Sequence, residues 1–164
     1  MELKVLLTTS GHAKTGQWFD LPSQEFERRI RWLTENGIEA SVVEFMGDIP
    51  SPLLAHYKVS ELNKIAQGLE DLPDDVIQNL PLFLEYETLD ELIESEGEHF
   101  IYHEETTMRE VAREMVRTGE IEPFIALSDL MNDYVDYGAV AHDLEDLHPY
   151  FFQLSSGEIV QYDK

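Results

Sequence analysis

The sequence predicts an α+β fold divided into three small subdomains. Apolar residues alternate with a period of two near both ends of the chain, as in strands. Through the middle they recur at i, i+3 or i+4 and i+7, as in helices. A run of turn formers, Gly47-Asp48-Ile49-Pro50-Ser51-Pro52, separates the first strand-bearing stretch from the helical one. The expected subdomains are 1–56, a three-stranded sheet with one helix; 57–97, a central acidic helical bundle; and 98–164, a C-terminal α+β unit. A chain of 164 residues with 43% apolar side chains is long enough to bury a core.

In order, Glu2–Thr9 places Leu3, Val5 and Leu7 on one side of a strand. Ser10–Thr15 reads as a loop, and Gln17–Leu21 as a second strand. Ser23 is the expected N-cap of a helix buried through Phe26, Ile30 and Leu33 and closed by Asn36-Gly37. Ile38–Met46 is the third strand. Ser60 is expected to cap a helix with Leu62, Ile65, Ala66 and Leu69 on one face. Pro73 with Asp74 and Asp75 suits the start of the next, and Pro81 should interrupt it. Thr88 with Glu91 forms a capping box ahead of Leu89, Leu92 and Ile93. Glu98–His103 alternates as a strand. Thr107 with Glu110 is a second capping box, before Met108, Val111, Ala112, Met115 and Val116. Phe124–Asn132 and Asp136–Leu144 read as helices, the second with Asp136 as N-cap. Tyr150–Leu154 and Glu158–Tyr162 flank Ser155-Ser156-Gly157 as a hairpin. Periodicity alone makes Val111 and Met115 candidates for an oligomer seam.

The charge is uneven. Formal net charge is −23, from 34 acids against 11 bases. Residues 1–38 balance five acids with five bases, whereas 118–163 hold ten acids and no base. Between Lys64 and Arg109 there is no Lys or Arg, and thirteen carboxylates: Glu70, Asp71, Asp74, Asp75, Glu85, Glu87, Asp90, Glu91, Glu94, Glu96, Glu98, Glu104 and Glu105. Apolar residues recur between them, so the stretch should fold despite the self-repulsion. General adaptation to high salt would spread acids over every surface, which the neutral first 38 residues do not. The negative sign argues against direct binding to nucleic acid or anionic lipid and favours a basic partner.

The sequence offers little toward an enzyme. With no Cys there is no disulfide or thiolate chemistry. There is no GxxxxGK[ST], GxGxxG, GxSxG or HExxH, and no twelve-residue calcium loop. His142, Glu145, Asp146 and His148 could in principle hold a metal, but solvated histidines beside carboxylates are the simpler reading. No cofactor and no metal are expected. No 18-residue apolar run and no signal peptide are read, so a soluble cytoplasmic protein is expected, without membrane partners.

What remains is the acidic surface. Duplex DNA carries one negative charge per about 1.7 Å of axis, so 23 charges match roughly 40 Å of duplex. Fixed carboxylates can therefore engage Lys and Arg placed to hold phosphates. The residues expected to act are the thirteen central acids with Asp129, Asp133, Asp143, Glu145 and Asp146. An inhibitor of a nucleic-acid-guided defence such as CRISPR, or an acidic binding module for a basic host protein, would use the same surface.

Four segments, in order, resemble the ArdA family of antirestriction proteins. They are Gly16-Gln17-Trp18-Phe19-Asp20-Leu21-Pro22, Tyr57-Lys58-Val59-Ser60-Glu61-Leu62-Asn63, Met108-Arg109-Glu110-Val111-Ala112-Arg113, and Tyr134-Val135-Asp136-Tyr137 with Asp143-Leu144. The resemblance spans nearly the whole chain. It implies an elongated protein of three small domains that forms a homodimer, imitates bent B-form DNA and occupies the groove of Type I restriction–modification enzymes, mainly at their methyltransferase core. It also implies carriage on phages, plasmids or other mobile elements of bacteria. The chain departs from the family at Val140-Ala141-His142, where an aromatic residue, Gly and Arg are usual.

Overall fold

Two three-stranded antiparallel sheets, each with helices, make up the α+β fold of the computed structural model, which describes residues 1–9, 15–121, 134–147 and 150–163. The chain divides into two compact units, Met1–Gly97 and Glu98–Lys164. The expected division after residue 97 falls where the two units part, and the one after residue 56 lies inside the first unit.

The first unit opens with β1 (Leu3–Thr8), β2 (Gln17–Asp20), α1 (Gln24–Glu35) and β3 (Ser41–Gly47), in sheet order β2-β1-β3. Leu3, Val5 and Leu7 are buried as the alternation requires, but so is Leu6. The reason is local: a Cβ on Gly16 would stand 2.7 Å from Leu6 Cδ1, so the backbone at Gly16 lies directly over that side chain. Phe19 of β2 meets Phe26 of α1 edge to face at 5.7 Å. Ser23 caps α1 by accepting the Phe26 N–H at 3.2 Å. At its other end Gly37, with φ 65°, donates to Thr34 O and Ile38 donates to Leu33 O, a Schellman closure. That closure consumes Ile38, so β3 starts at Ser41, later than the pattern suggests.

Five short helices follow: α2 (Ser51–Leu54), α3 (Leu62–Asp71), α4 (Asp74–Gln78), α5 (Leu80–Phe83) and α6 (Leu89–Ser95). Ser60 is not the cap of α3. Glu61 holds that position without a side-chain cap bond, and its carboxylate instead accepts the Lys58 N–H at 2.9 Å. The Thr88–Glu91 capping box of α6 is complete in both directions. Helices α3 and α6 approach closely at Gly68, where a Cβ would lie 2.3 Å from Ile93 Cγ2. The Ser23 N–H donates to Asn63 Oδ1 at 2.7 Å, tying the start of α1 to α3.

The second unit holds β4 (Phe100–His103), α7 (Met108–Thr118), α8 (Tyr137–Leu147), β5 (Phe151–Gln153) and β6 (Ile159–Tyr162), with sheet order β4-β6-β5. The Thr107 hydroxyl caps α7, and the Glu110 carboxylate accepts from that hydroxyl rather than from the Thr107 backbone N–H, so the box is only half formed. Asp136 accepts the Gly138 and Ala139 N–H groups at 3.1 and 3.2 Å, as an N-cap of α8 does. Val111, Ala112 and Met115 of α7 pack with Ala141 and Leu144 of α8 and Ile159 of β6. The expected seam residues Val111 and Met115 are therefore interior, 0% and 7% exposed, and face their own unit. The periodicity marked a real stripe, but the helix it meets is α8. The expected helix at Phe124–Asn132 lies outside the described residues. No helix among the described residues is long and apolar enough to cross a membrane.

Candidate acidic interaction surface

The acids of the first unit are exposed because the helices bury their other face. Leu62, Ile65, Ala66 and Leu69 of α3, Val76 of α4, Leu80 and Phe83 of α5, and Leu89 and Leu92 of α6 are all buried. What is left outward is carboxylate: Glu70 and Asp71 at the end of α3, Asp74 at the start of α4, Glu85 after α5, Asp90, Glu91 and Glu94 on α6, then Glu96 and Glu98. Asp75 is half-buried. In the second unit Glu104 is exposed and Glu105 half-buried, while Asp143, Glu145 and Asp146 line the polar face of α8. Asp129 and Asp133 lie outside the described residues.

Glu87 does not belong to this surface. It is 4% exposed in the turn before α6, where the Ser95 hydroxyl reaches its Oε2 at 3.4 Å. Its place just ahead of the Thr88 cap turns the side chain inward, which a count of acids does not reveal.

Local stability accounts for some of the charges. Asp74, Asp75, Asp90 and Glu91 stand in first turns, where the helix dipole favours an anion. Glu70 and Asp71 stand in the last turn of α3, where it disfavours one. Asp90 and Glu94 are an i, i+4 like-charge pair. Glu96 ends α6 with φ 51°, a left-handed conformation that an L side chain rarely adopts. The ion pairs among the described residues include Lys4 with Glu2 and Asp20, Lys58 with Glu61, and Arg117 with Glu114. These draw on cations outside the lysine- and arginine-free stretch. The Arg117 hydrogen bond holds the Glu114 carboxyl below its ordinary range, and Glu2 with Asp20 raises the Lys4 ammonium.

Two tyrosines stand among the acids. The Tyr57 hydroxyl donates to Asp90 Oδ1 at 3.0 Å; burial first, and the Asp90 carboxylate second, push it up to about 12. Burial and the Glu85 charge raise Tyr86. Both tyrosines line an open cleft of about 590 Å³ with Glu85, Asp90 and Glu91, a grouping no linear pattern announces.

His142, expected as a possible metal ligand, sits 3.5 Å from Asp146, one helical turn on. Among the described residues no three His, Cys, Asp or Glu side chains gather as a metal site requires, and His148 lies outside them. Val140-Ala141-His142 lies inside α8, with Ala141 in the core and His142 exposed.

The four family-like segments meet in pairs, two within the first unit and two within the second. The first runs up to Ser23, which is bonded to Asn63 of the second. Arg113 of the third stands over the Tyr137 ring of the fourth, 5.2 Å from its centroid. They mark the scaffold, and the acids lie mostly between them. No family model matches this sequence, and no curated protein matches it.

Proposed function

We propose that the protein is a non-enzymatic inhibitor that imitates B-form DNA and occupies the DNA groove of a Type I restriction–modification enzyme, acting as a homodimer in the bacterial cytoplasm. The observation that carries this reading is the set of exposed carboxylates on α3, α4 and α6, within a stretch that has no lysine or arginine from 65 to 108. Like charges held this way repel one another and oppose folding. A groove lined with Lys and Arg relieves that repulsion and releases the counterions of both surfaces. The affinity is shared over many weak contacts, so no single acid is essential. The four family-like segments support the choice of target.

The test is a competition. A Type I methyltransferase core is bound to a labelled duplex carrying its recognition site, and the protein is titrated in at two salt concentrations. Stoichiometric displacement that weakens at the higher salt is expected. A folded protein that leaves the duplex bound at both salts rules the target out.

A further inference from the structure

We infer that the cleft between α2 and the start of α6 receives the guanidinium of an arginine side chain from a basic partner. The cleft has a volume of about 590 Å³ and lies wholly within the first unit. Its lining combines the rings of His56, Tyr57 and Tyr86 with the carboxylates of Glu85, Asp90 and Glu91. The His56 and Tyr57 rings stack on each other, 4.1 Å apart and 35° from parallel, and the outer side of this stack with the Tyr86 ring makes the aromatic wall of the cleft. An aromatic face attracts a cation, and a carboxylate accepts the parallel N–H groups of a guanidinium. A planar, weakly hydrated guanidinium stacks on such a wall better than a compact ammonium does.

The acidic rim is fixed in place. Asp90 Oδ1 is held by the Tyr57 hydroxyl, and Glu91 Oε2 by the Thr88 N–H and hydroxyl at 3.0 and 2.8 Å. With its hydroxyl pushed up to about 12, Tyr57 stays a donor at neutral pH and adds no charge of its own. Among the described residues that line the cleft none is lysine or arginine. Exposed acids elsewhere on α3 and α4 lack aromatic residues beside them in sequence, so the cleft is where a basic groove would be read in shape as well as charge.

The nature of the partner rests on the function proposed above, but the cleft itself is tested apart from it. The full-length protein is titrated with a Gly/Ser peptide containing one arginine, and the Tyr57 and Tyr86 ring resonances are followed by NMR. Saturable shifts centred on these rings are expected. A lysine peptide should bind about fivefold more weakly. Tyr86→Leu, which keeps the net charge, should cost about fivefold, and Asp90→Asn, which keeps an acceptor for Tyr57, a similar factor. Shifts spread over all exposed carboxylates, equal binding of both peptides, or unchanged binding by both folded variants would overturn the inference. Peptide binding in the cleft without duplex displacement removes the restriction target and keeps the cleft. Duplex displacement by wild type and Tyr86→Leu alike, without peptide binding, removes the cleft and keeps the mimicry.

Discussion

Helix α1 and helix α6 belong to the same unit and use the same device to fold, yet their outer faces differ in kind. Each has a side-chain N-cap and a buried apolar stripe, Phe26 and Leu33 in one, Leu89 and Leu92 in the other. The outer face of α1 is mixed, with Glu25, Glu27 and Glu35 against Arg28, Arg29 and Arg31, and Arg29 stands over Trp32 at 5.0 Å. The outer face of α6 carries only acids. Packing and capping are satisfied in both; in α6 they account for Asp90 and Glu91 of the first turn, but not for Glu94. Glu94 and Glu96 stand where the α6 dipole opposes an anion, as Glu70 and Asp71 do on α3. Departures from local preference of this sort concentrate where function imposes them.

Charge reversal breaks or sharpens this contrast most strongly. Replacing Glu70, Asp71, Glu94 and Glu96 together by lysine should weaken duplex displacement roughly a hundredfold. Replacing Glu25, Glu27 and Glu35 of α1 by lysine should leave it within about twofold. An equal loss from both sets would mean that total charge matters and its placement does not. The next effect tests the apolar side of the comparison. In Gly68→Ala the new methyl meets Ile93 Cγ2, which branches at Cβ and cannot swing aside without leaving its rotamer. About 1–3 kcal/mol of stability should be lost, read as a lower urea midpoint, and Ile93→Ala in the same chain should restore part of it.

The legible parts of this molecule were those that local chemistry decides. Ser23, Thr88 and Asp136 accept the expected first-turn N–H groups, and Asn36-Gly37 closes α1, because caps depend on a few adjacent residues. The α+β class followed from the two periodicities. What required the third dimension was less legible. The stripe of Val111 and Met115 is the same whether it faces another chain or α8. Glu87 is like every other acid until the turn before α6 buries it. The tyrosine-lined cleft joins residues more than thirty positions apart, Tyr57 and Asp90, which no spacing rule connects.

Smaller effects address the two ends of α6 and its neighbour. Glu96→Gly should raise stability by about 1 kcal/mol, since glycine adopts the φ of 51° freely and the anion leaves the negative helix end. A loss instead would mean that Glu96 is held by contacts that outweigh its backbone. The smallest effect is a pH dependence confined to the acidic helices. The Tyr57 hydroxyl is raised from 10.0 to about 12. The folded state therefore holds its proton more tightly than the unfolded chain does. That contribution is complete below pH 10 and is lost as the pH rises through about 12. Tyr57→Phe should flatten the fall of the urea midpoint across that interval, while lowering stability slightly at neutral pH through the lost bond to Asp90. An unchanged slope would show that the tyrosine titrates alike in both states.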